Sequence, residues 1–232
     1  MRPFVHLHVH SQYSLLDGQA SISKLVDKAI ADGMPGIALT DHGNMFGVKE
    51  FFNYINKKNG ARRDRIKALK ELIERLENGT ATDKDKGDDA DAALAKARAE
   101  LDSVPKADFK GIIGCEVYVA RRRLFNKEKA MGDYSGYHLI LLAKNITGYK
   151  NLIKIVSKAY TEGMYGRPRT DRTELEKYHE GLICCSACIG GELPRRIREN
   201  EIEKAREAAL WYKNLFGDDY YLELQLHKAT VE

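Results

Sequence analysis

The sequence has no run approaching the ~18 apolar residues of a membrane span, and its mean hydropathy is −0.48. Its first residues, Met1-Arg2-Pro3-Phe4-Val5-His6, lack the apolar stretch of a signal peptide. A cytoplasmic protein with no membrane partner is therefore expected. Cysteine is scarce: the only thiols are Cys115, Cys184, Cys185 and Cys188. In a reducing compartment structural disulfides are disfavoured, which leaves thiol packing, metal ligation or redox chemistry. An excess of one charge is also lacking. Lys and Arg number 38 against 34 Asp and Glu, and a net +4 is too weak to argue for nucleic-acid binding by itself. There is no Walker A motif and no G-x-S-x-G nucleophile elbow. Cys185-Ser186-Ala187-Cys188 fits C-x-x-C, but no thioredoxin-like companion pattern and no second C-x-x-C of a zinc ribbon accompany it.

What is present is an alternation of strand and helix patterns over 232 residues, enough for one large domain or two small ones. Residues 4–10 alternate at period two, with Val5, Leu7 and Val9 facing one way and His6, His8 and His10 the other. An amphipathic helix follows over 21–31, capped by Ser21 or Ser23 and stopped by Gly33. A short apolar strand over 35–40 ends at Asp41-His42-Gly43, and a helix is expected over 44–55. Further strands are expected over 112–119, 139–143, 182–185 and 220–226, with helices over 149–160 and 202–215. Such alternation, with little hairpin chemistry, predicts an α/β fold with a mainly parallel sheet, either open or a (β/α) barrel cut short.

Residues 57–108 break the alternation. The stretch is highly charged and holds no strand pattern. Ile66, Leu69, Ile73 and Leu76 share one helical face, Asn78-Gly79-Thr80 interrupts, and Leu94, Ala97 and Leu101 share another face before Pro105. An inserted helical hairpin is expected. Eight Lys or Arg against three acids over 57–75, and six acids against two Lys over 77–91, make its base basic and its tip acidic. That polarity suits either a solvated excursion or a docking element for another domain or nucleic acid.

The chemistry concentrates around histidine. Three imidazoles on one strand face cost free energy in an ordinary core, because each must be desolvated and hydrogen-bonded. A divalent metal removes that cost, and period-two spacing delivers neighbouring side chains to one site; the bland alternative is a surface strand with solvated rings. Asp17 lies downstream of His6, His8 and His10. Asp41 and His42 lie just past an apolar strand, where α/β sites assemble, although a turn before an Asn44 cap explains them equally well. Glu116 interrupts an apolar strand and needs a cationic partner. His138 opens the strand over 139–143, at the end opposite the usual active face, and Cys188 follows the strand over 182–185 at the favourable end. His179 lies in a polar loop and is expected to be solvated, while His227 ends the last strand and is a further candidate for the site.

These motifs resemble a known family. His6-Leu7-His8-Val9-His10-Ser11, Ser14-Leu15-Leu16-Asp17-Gly18 and Thr40-Asp41-His42-Gly43-Asn44 are similar to the polymerase and histidinol phosphatase (PHP) domain, of the kind at the N-terminus of bacterial replicative DNA polymerase III alpha subunits. Residues 137–145, 147–152 and 181–188 resemble it in the same order. The resemblance implies a distorted (β/α)7 barrel with two or three divalent ions (zinc, manganese or iron). Its implied metal ligands are His8, His10, Asp17, His42, Glu116, His138 and Cys188. Asp41 and His6 would orient imidazoles from behind, and His10, Asp17 and Asp41 would stand nearest to catalysis. A further Asp-x-His pair of the family pattern is not found before Glu232, so the expectation is a fragment truncated before its last strand, from a longer polymerase chain. The implied reaction is metal-dependent phosphoester hydrolysis at a DNA 3′ end, supporting 3′→5′ proofreading. The implied partners are the remainder of the polymerase alpha chain and other replisome subunits. Two rivals stand beside it: a structural module of the polymerase, and a small-molecule phosphatase, against which the wording around Asp17 and Tyr149 speaks.

Overall fold

The computed structural model describes residues 4–87 and 89–225. The first helix, α1 (Ile22–Ala31), begins where the Ser21 side chain accepts the Lys24 amide. Ile22, Val26 and Ala29 fall on one face and are buried. They pack with Ile37 and Leu39 of strand β1 (Gly36–Leu39) and with Phe51 and Ile55 of helix α2 (Val48–Glu77). Burying each large apolar side chain contributes roughly 1.5–3 kcal/mol.

The sheet is mixed rather than mainly parallel. Its order begins β1–β2–β3, where β2 is Lys110–Ala120 and β3 is Gly136–Ala143. Beside β2 on β1's side lies the short β4 (Arg169–Thr170), and beyond β3 come β5 (Leu182–Cys185) and β6 (Tyr220–Tyr221). β3 runs antiparallel to both β2 and β5, whereas β1, β4 and β6 pair in parallel. The reason is local. Between β2 and β3 the chain makes only one 3₁₀ turn, Lys129–Met131, and no crossover helix that would carry it back to the starting edge.

Residues 4–10 are not a ladder strand. The only backbone–backbone bonds that tie the described segment to β1 and Thr40 are those of the His6 and Val9 carbonyls, accepting from the amides of Ala38 and Thr40; the Thr40 hydroxyl adds a bond from the Val9 amide, and the chain bends at His8. The expected strict alternation is therefore lost: His6 and Leu7 are exposed, while His8, Val9 and His10 are half-buried.

A second layer covers the outer sheet face. Helices α5 (Ile146–Thr161), α6 (Arg172–Tyr178) and α8 (Ile202–Phe216) put Leu152, Ile155, Leu175 and Tyr212 onto Val117, Leu139, Leu141 and Cys184. The Asn145 side chain caps α5 by accepting the Gly148 amide, and the short α7 (Glu192–Arg198) leads into α8. Cys115 and Cys184 are wholly buried free thiols, and burial pushes their pKa values well above the ordinary thiol value, so they act as packing groups.

The charged excursion is helical. α2 runs unbroken through residue 57 to Glu77, so no joint separates the core-packed turn at Phe51 and Ile55 from the outer turns. A single turn over Asp83–Lys86, labelled α3, and helix α4 (Ala90–Ser103) follow. Leu69 and Ala97 are its buried apolar residues on α2 and α4, and Arg65–Glu100 and Arg98–Glu77 ion pairs join the two helices. Its root is sealed by Asn59, whose amide group both donates to and accepts from the Phe109 backbone at 3.0 and 2.9 Å.

Among the described residues, no helix is long and apolar enough to cross a membrane.

Candidate metal centre

β2 outruns β1, and this creates the centre. β1 pairs with β2 up to Ile113, after which residue 42 bridges Glu116 and β4 takes over at Tyr118. The Gly43 amide donates to the Glu116 carbonyl at 2.8 Å, and the Glu116 amide donates to the Asp41 carbonyl at 3.1 Å. Gly43 has φ +62°, and a Cβ there would lie 2.8 Å from Pro168, so the tight approach of this loop to β2 requires glycine. Antiparallel β3 brings its first residues to the same end of the sheet. The apparent misplacement of His138 at a strand start therefore disappears. On β5's side, Ala187 adopts a left-handed conformation (φ 61°), after which the Gly190 amide donates to Cys188 Sγ at 3.4 Å.

The result is one carboxylate ringed by imidazoles. Glu116 is fully buried. Its Oε2 lies 3.3 Å from His8 Nε2, 3.0 Å from His10 Nε2 and 2.9 Å from His42 Nδ1. Its Oε1 lies 2.6 Å from His138 Nδ1 and 3.7 Å from Cys188 Sγ, and that thiol is 3.4 Å from His138 Nδ1. The His10 and His42 rings stack at 4.0 Å and 12°. Asp17 Oδ2 holds His42 Nε2 at 2.8 Å from the far side of the ring. All seven residues implied as ligands line one cleft of about 750 Å³.

Whether these groups suit a metal can be tested on their hydrogen bonds. Glu116 Oε2 and His42 Nδ1 are buried at close range yet neither has an aligned hydrogen-bond partner. Three ring nitrogens crowd an oxygen that accepts two hydrogen bonds comfortably. A divalent cation satisfies such a set, because it draws on the lone pairs of nitrogen and oxygen together. Two groups, His8–His10–Glu116 and His42–Glu116–His138, bring their ligand atoms within 4.8 Å of one another and share Glu116. The donor set of imidazole, carboxylate and a nearby thiol fits zinc, manganese or iron.

Electrostatics agree. Burial works to raise the Glu116 pKa, but contacts from His10, His138, His42 and His8 outweigh it and hold the carboxyl well below the usual range. Burial works to lower His8, yet Glu116 and Glu223 push it up to about 10. His138 rises to about 9 against burial, through Cys188 and Glu116, and His42 rises through Glu116 and Asp17.

The residues expected to support the ligands divide differently from expectation. His6 does not reach the centre: its exposed ring meets Phe4 edge-on, because the bend at His8 turns it away. Asp41 does not touch an imidazole directly. It is buried, and its carboxylate accepts the Ser11 amide at 2.6 Å and the hydroxyls of Ser11 and Ser14 at 2.8 Å. Ser14 Oγ in turn lies 3.3 Å from His10 Nδ1 and accepts the His42 amide at 3.1 Å, so Asp41 positions both histidines through a hydroxyl. His179 is remote, contacting Glu176 and Phe216. His227 lies outside the described residues.

Glu223 escaped the sequence reading. It grips His8 Nδ1 at 2.7 Å, and its amide donates to Ser186 Oγ. Its signal was present: an acid inside the apolar alternation after Tyr220, of the same kind that marked Glu116.

The PHP domain profile matches residues 6–227. The chain belongs to the PHP domain family. This PHP domain is 44% identical to DNA polymerase III subunit alpha of Borreliella burgdorferi over 97% of its own length and 15% of that protein's. It is 39% identical to the same subunit of Treponema pallidum over 99% of its length, covering 16% of the relative. It is 34% identical to that of Thermus aquaticus over 97%, covering 15%. The PHP chain thus spans about one sixth of the length of these relatives.

Proposed function

We propose that this PHP domain is a metal-dependent phosphodiesterase site serving 3′→5′ exonucleolytic proofreading in a cytoplasmic DNA polymerase III alpha chain, where it forms the N-terminal domain. The supporting observation is the fully buried Glu116 carboxylate shared by four imidazoles, with its own Oε2 and the neighbouring His42 Nδ1 left unpaired. The domain is proposed to be a distorted (β/α)7 barrel spanning 1–232, with the mixed sheet as its described arc and residues 57–108 as a helical insertion. Its partners are the rest of the alpha chain, other replisome subunits and a DNA 3′ end.

His8, His10, His42, Glu116 and His138 would hold two or three divalent ions, with Cys188 and Asp17 completing the set. Bound ions would supply an activated water and neutralise charge on the phosphate. The protein's own contribution is preorganisation. Glu223 Oε1 accepts the hydrogen bond of the His8 Nδ1–H, which leaves the Nε2 lone pair directed at the centre. Asp17 Oδ2 does the same at His42 Nε2, freeing Nδ1. Asp41, through Ser14, fixes the His10 ring. Substituting His10→Ala or Asp17→Ala in the full-length protein should lower metal-dependent removal of 3′-terminal nucleotides at least tenfold, roughly 1.4 kcal/mol of barrier. Full-length protein with bound metal but without that hydrolysis would leave the domain as a structural module.

A further inference from the structure

We infer that the cleft beside Tyr137, separate from the metal centre, binds a dianionic phosphate group through Arg121, Arg123 and Arg172. The inference does not rest on the phosphodiesterase reading. This cleft encloses about 460 Å³ and shares no lining residue with the cleft over the metal centre. Three stretches of chain meet in it: the end of β2 with the loop that follows, the first turn of α6, and residues of α7 and α8.

The arginines of the cleft are held on rings. Arg121 rests over Tyr137 at 5.3 Å, Arg123 over Phe125 at 5.1 Å and Arg172 over Trp211 at 4.6 Å. Such a contact fixes a guanidinium without using its N–H donors. Arg121 has neither a hydrogen bond nor a carboxylate partner among the described residues. Arg123 uses only Nε, on Asp171 at 2.7 Å, and Arg172 uses only Nη2, on Glu192 at 3.1 and 3.2 Å. Arg122 differs: it is engaged by both Asp133 and Glu128.

The acids nearby are already occupied. Asp171 Oδ1 accepts the Glu174 amide, and its Oδ2 accepts Arg123 and the Leu124 amide. Glu192 also accepts the Tyr212 hydroxyl, and Glu201 is shared by Arg196 and Lys204 at 2.6 Å each. Among the described residues, Glu207 is the one lining acid without a partner. Donors are therefore in surplus, and they arrive from separate elements. A carboxylate is planar, and a single guanidinium fork satisfies it. A phosphate dianion offers three terminal oxygens and up to two charges, so it can take N–H groups from several directions at once. Cations gathered in a concave surface also raise the local concentration of such anions.

The test uses the full-length protein in EDTA, so that no metal recruits the anion. Phenylglyoxal modifies arginines that reagents can reach, and peptide mass spectrometry reads each one. Inorganic phosphate should slow modification of Arg121 and Arg172 at least fivefold and leave Arg167, in the metal cleft, unchanged. Acetate at equal ionic strength should protect none of them. Arg121→Ala leaves no acid unpaired, so it should weaken phosphate binding at least fivefold in calorimetry with an unchanged urea midpoint. Arg121→Lys should recover part of that loss, because it restores the charge without the fork. Glu207→Gln, which removes a repelling charge, should tighten binding at least twofold. Two sources carry such a group. Equal protection by inorganic phosphate and a nucleoside monophosphate assigns the cleft to the free anion; protection by the monophosphate at tenfold lower concentration assigns it to a phosphate ester. Acetate protecting as well as phosphate, Arg121 unreactive before phosphate is added, protection by an oligodeoxynucleotide alone, or unchanged affinity in Arg121→Ala would overturn the inference.

Discussion

Glu116 and Arg169 are both charged and both fully buried, yet their surroundings differ in kind. The Arg169 guanidinium donates to the carbonyls of Gly163, Asp133, Leu124 and Asn126 at 2.5–3.0 Å, so its donors are matched by fixed acceptors that close the loops around β4. Burial draws its pKa down, but the cage of carbonyls is built for the cation. Around Glu116 the match fails. Three imidazoles face the two lone pairs of Oε2, and Glu116 Oε2 and His42 Nδ1 remain unpaired. A buried charge whose partners balance serves the fold; one whose partners are in surplus and open to a cleft has been arranged for something that arrives later.

Exchanging the two residues' roles by mutation is the strongest way to break this contrast. Arg169→Met should lower stability by about 3–5 kcal/mol, because several buried carbonyls each lose a donor worth ~1–3 kcal/mol, while any metal uptake by the folded fraction stays intact. Urea denaturation with metal titration reads both. Glu116→Gln should act on the site instead: above pH 10, where His8 and His138 no longer add stability through it, the urea midpoint should change little, but metal affinity and hydrolysis should fall at least a hundredfold, about 2.7 kcal/mol. A Glu116→Gln variant that keeps its metal, or an Arg169→Met variant as stable as the parent, would refute the distinction.

Acidity sharpens it further. His8 at about 10 and His138 at about 9 are raised above 6.5, so in the metal-free protein their protonated forms stabilise the fold. That stability is complete below pH 6.5 and is lost as pH rises through 9 to 10. Metal competes with the same protons, so affinity should climb with pH up to about 9, by as much as ~100-fold per unit if both protons leave. Calorimetry in buffers of different ionisation enthalpy counts the protons released; a pH-independent affinity contradicts the raised values.

The smallest effect belongs to the charged excursion. Arg65→Ala, which removes an exposed pair with Glu100, should change stability by at most ~1 kcal/mol in thermal unfolding. A larger loss would mean that α2 and α4 carry the core as Arg169 does.

Much of this was legible in the residues because a local pattern carried it. Periodicity located α1, α5 and α8 to within a few positions, since their buried faces recur along a single segment. Histidines too costly to bury idle, and an acid inside an apolar strand, pointed to His8, His10, His42 and Glu116, which the fold brings within one cleft. Spacing misled wherever a neighbour outside the segment decided the outcome. His6 shares its parity with His8, but the bend at His8 breaks it. Asp41 stands next to His42 yet turns to two serines. No pattern in residues 48–57 ends α2, and Asn59 with Phe109, fifty positions apart, shows why it continues.

What the sequence determined by itself is the inventory: which side chains are too polar for their apolar neighbours, and which stretches can bury a face. The tertiary structure alone decided strand direction and pairing. Period-two alternation is the same in parallel and antiparallel ladders, so it carries no information about direction. The antiparallel run of β3 swings His138 to the end of the sheet shared by His42 and Cys188, and the Tyr220–Glu223 segment, settling on β5, brings Glu223 to His8 across 215 residues of chain.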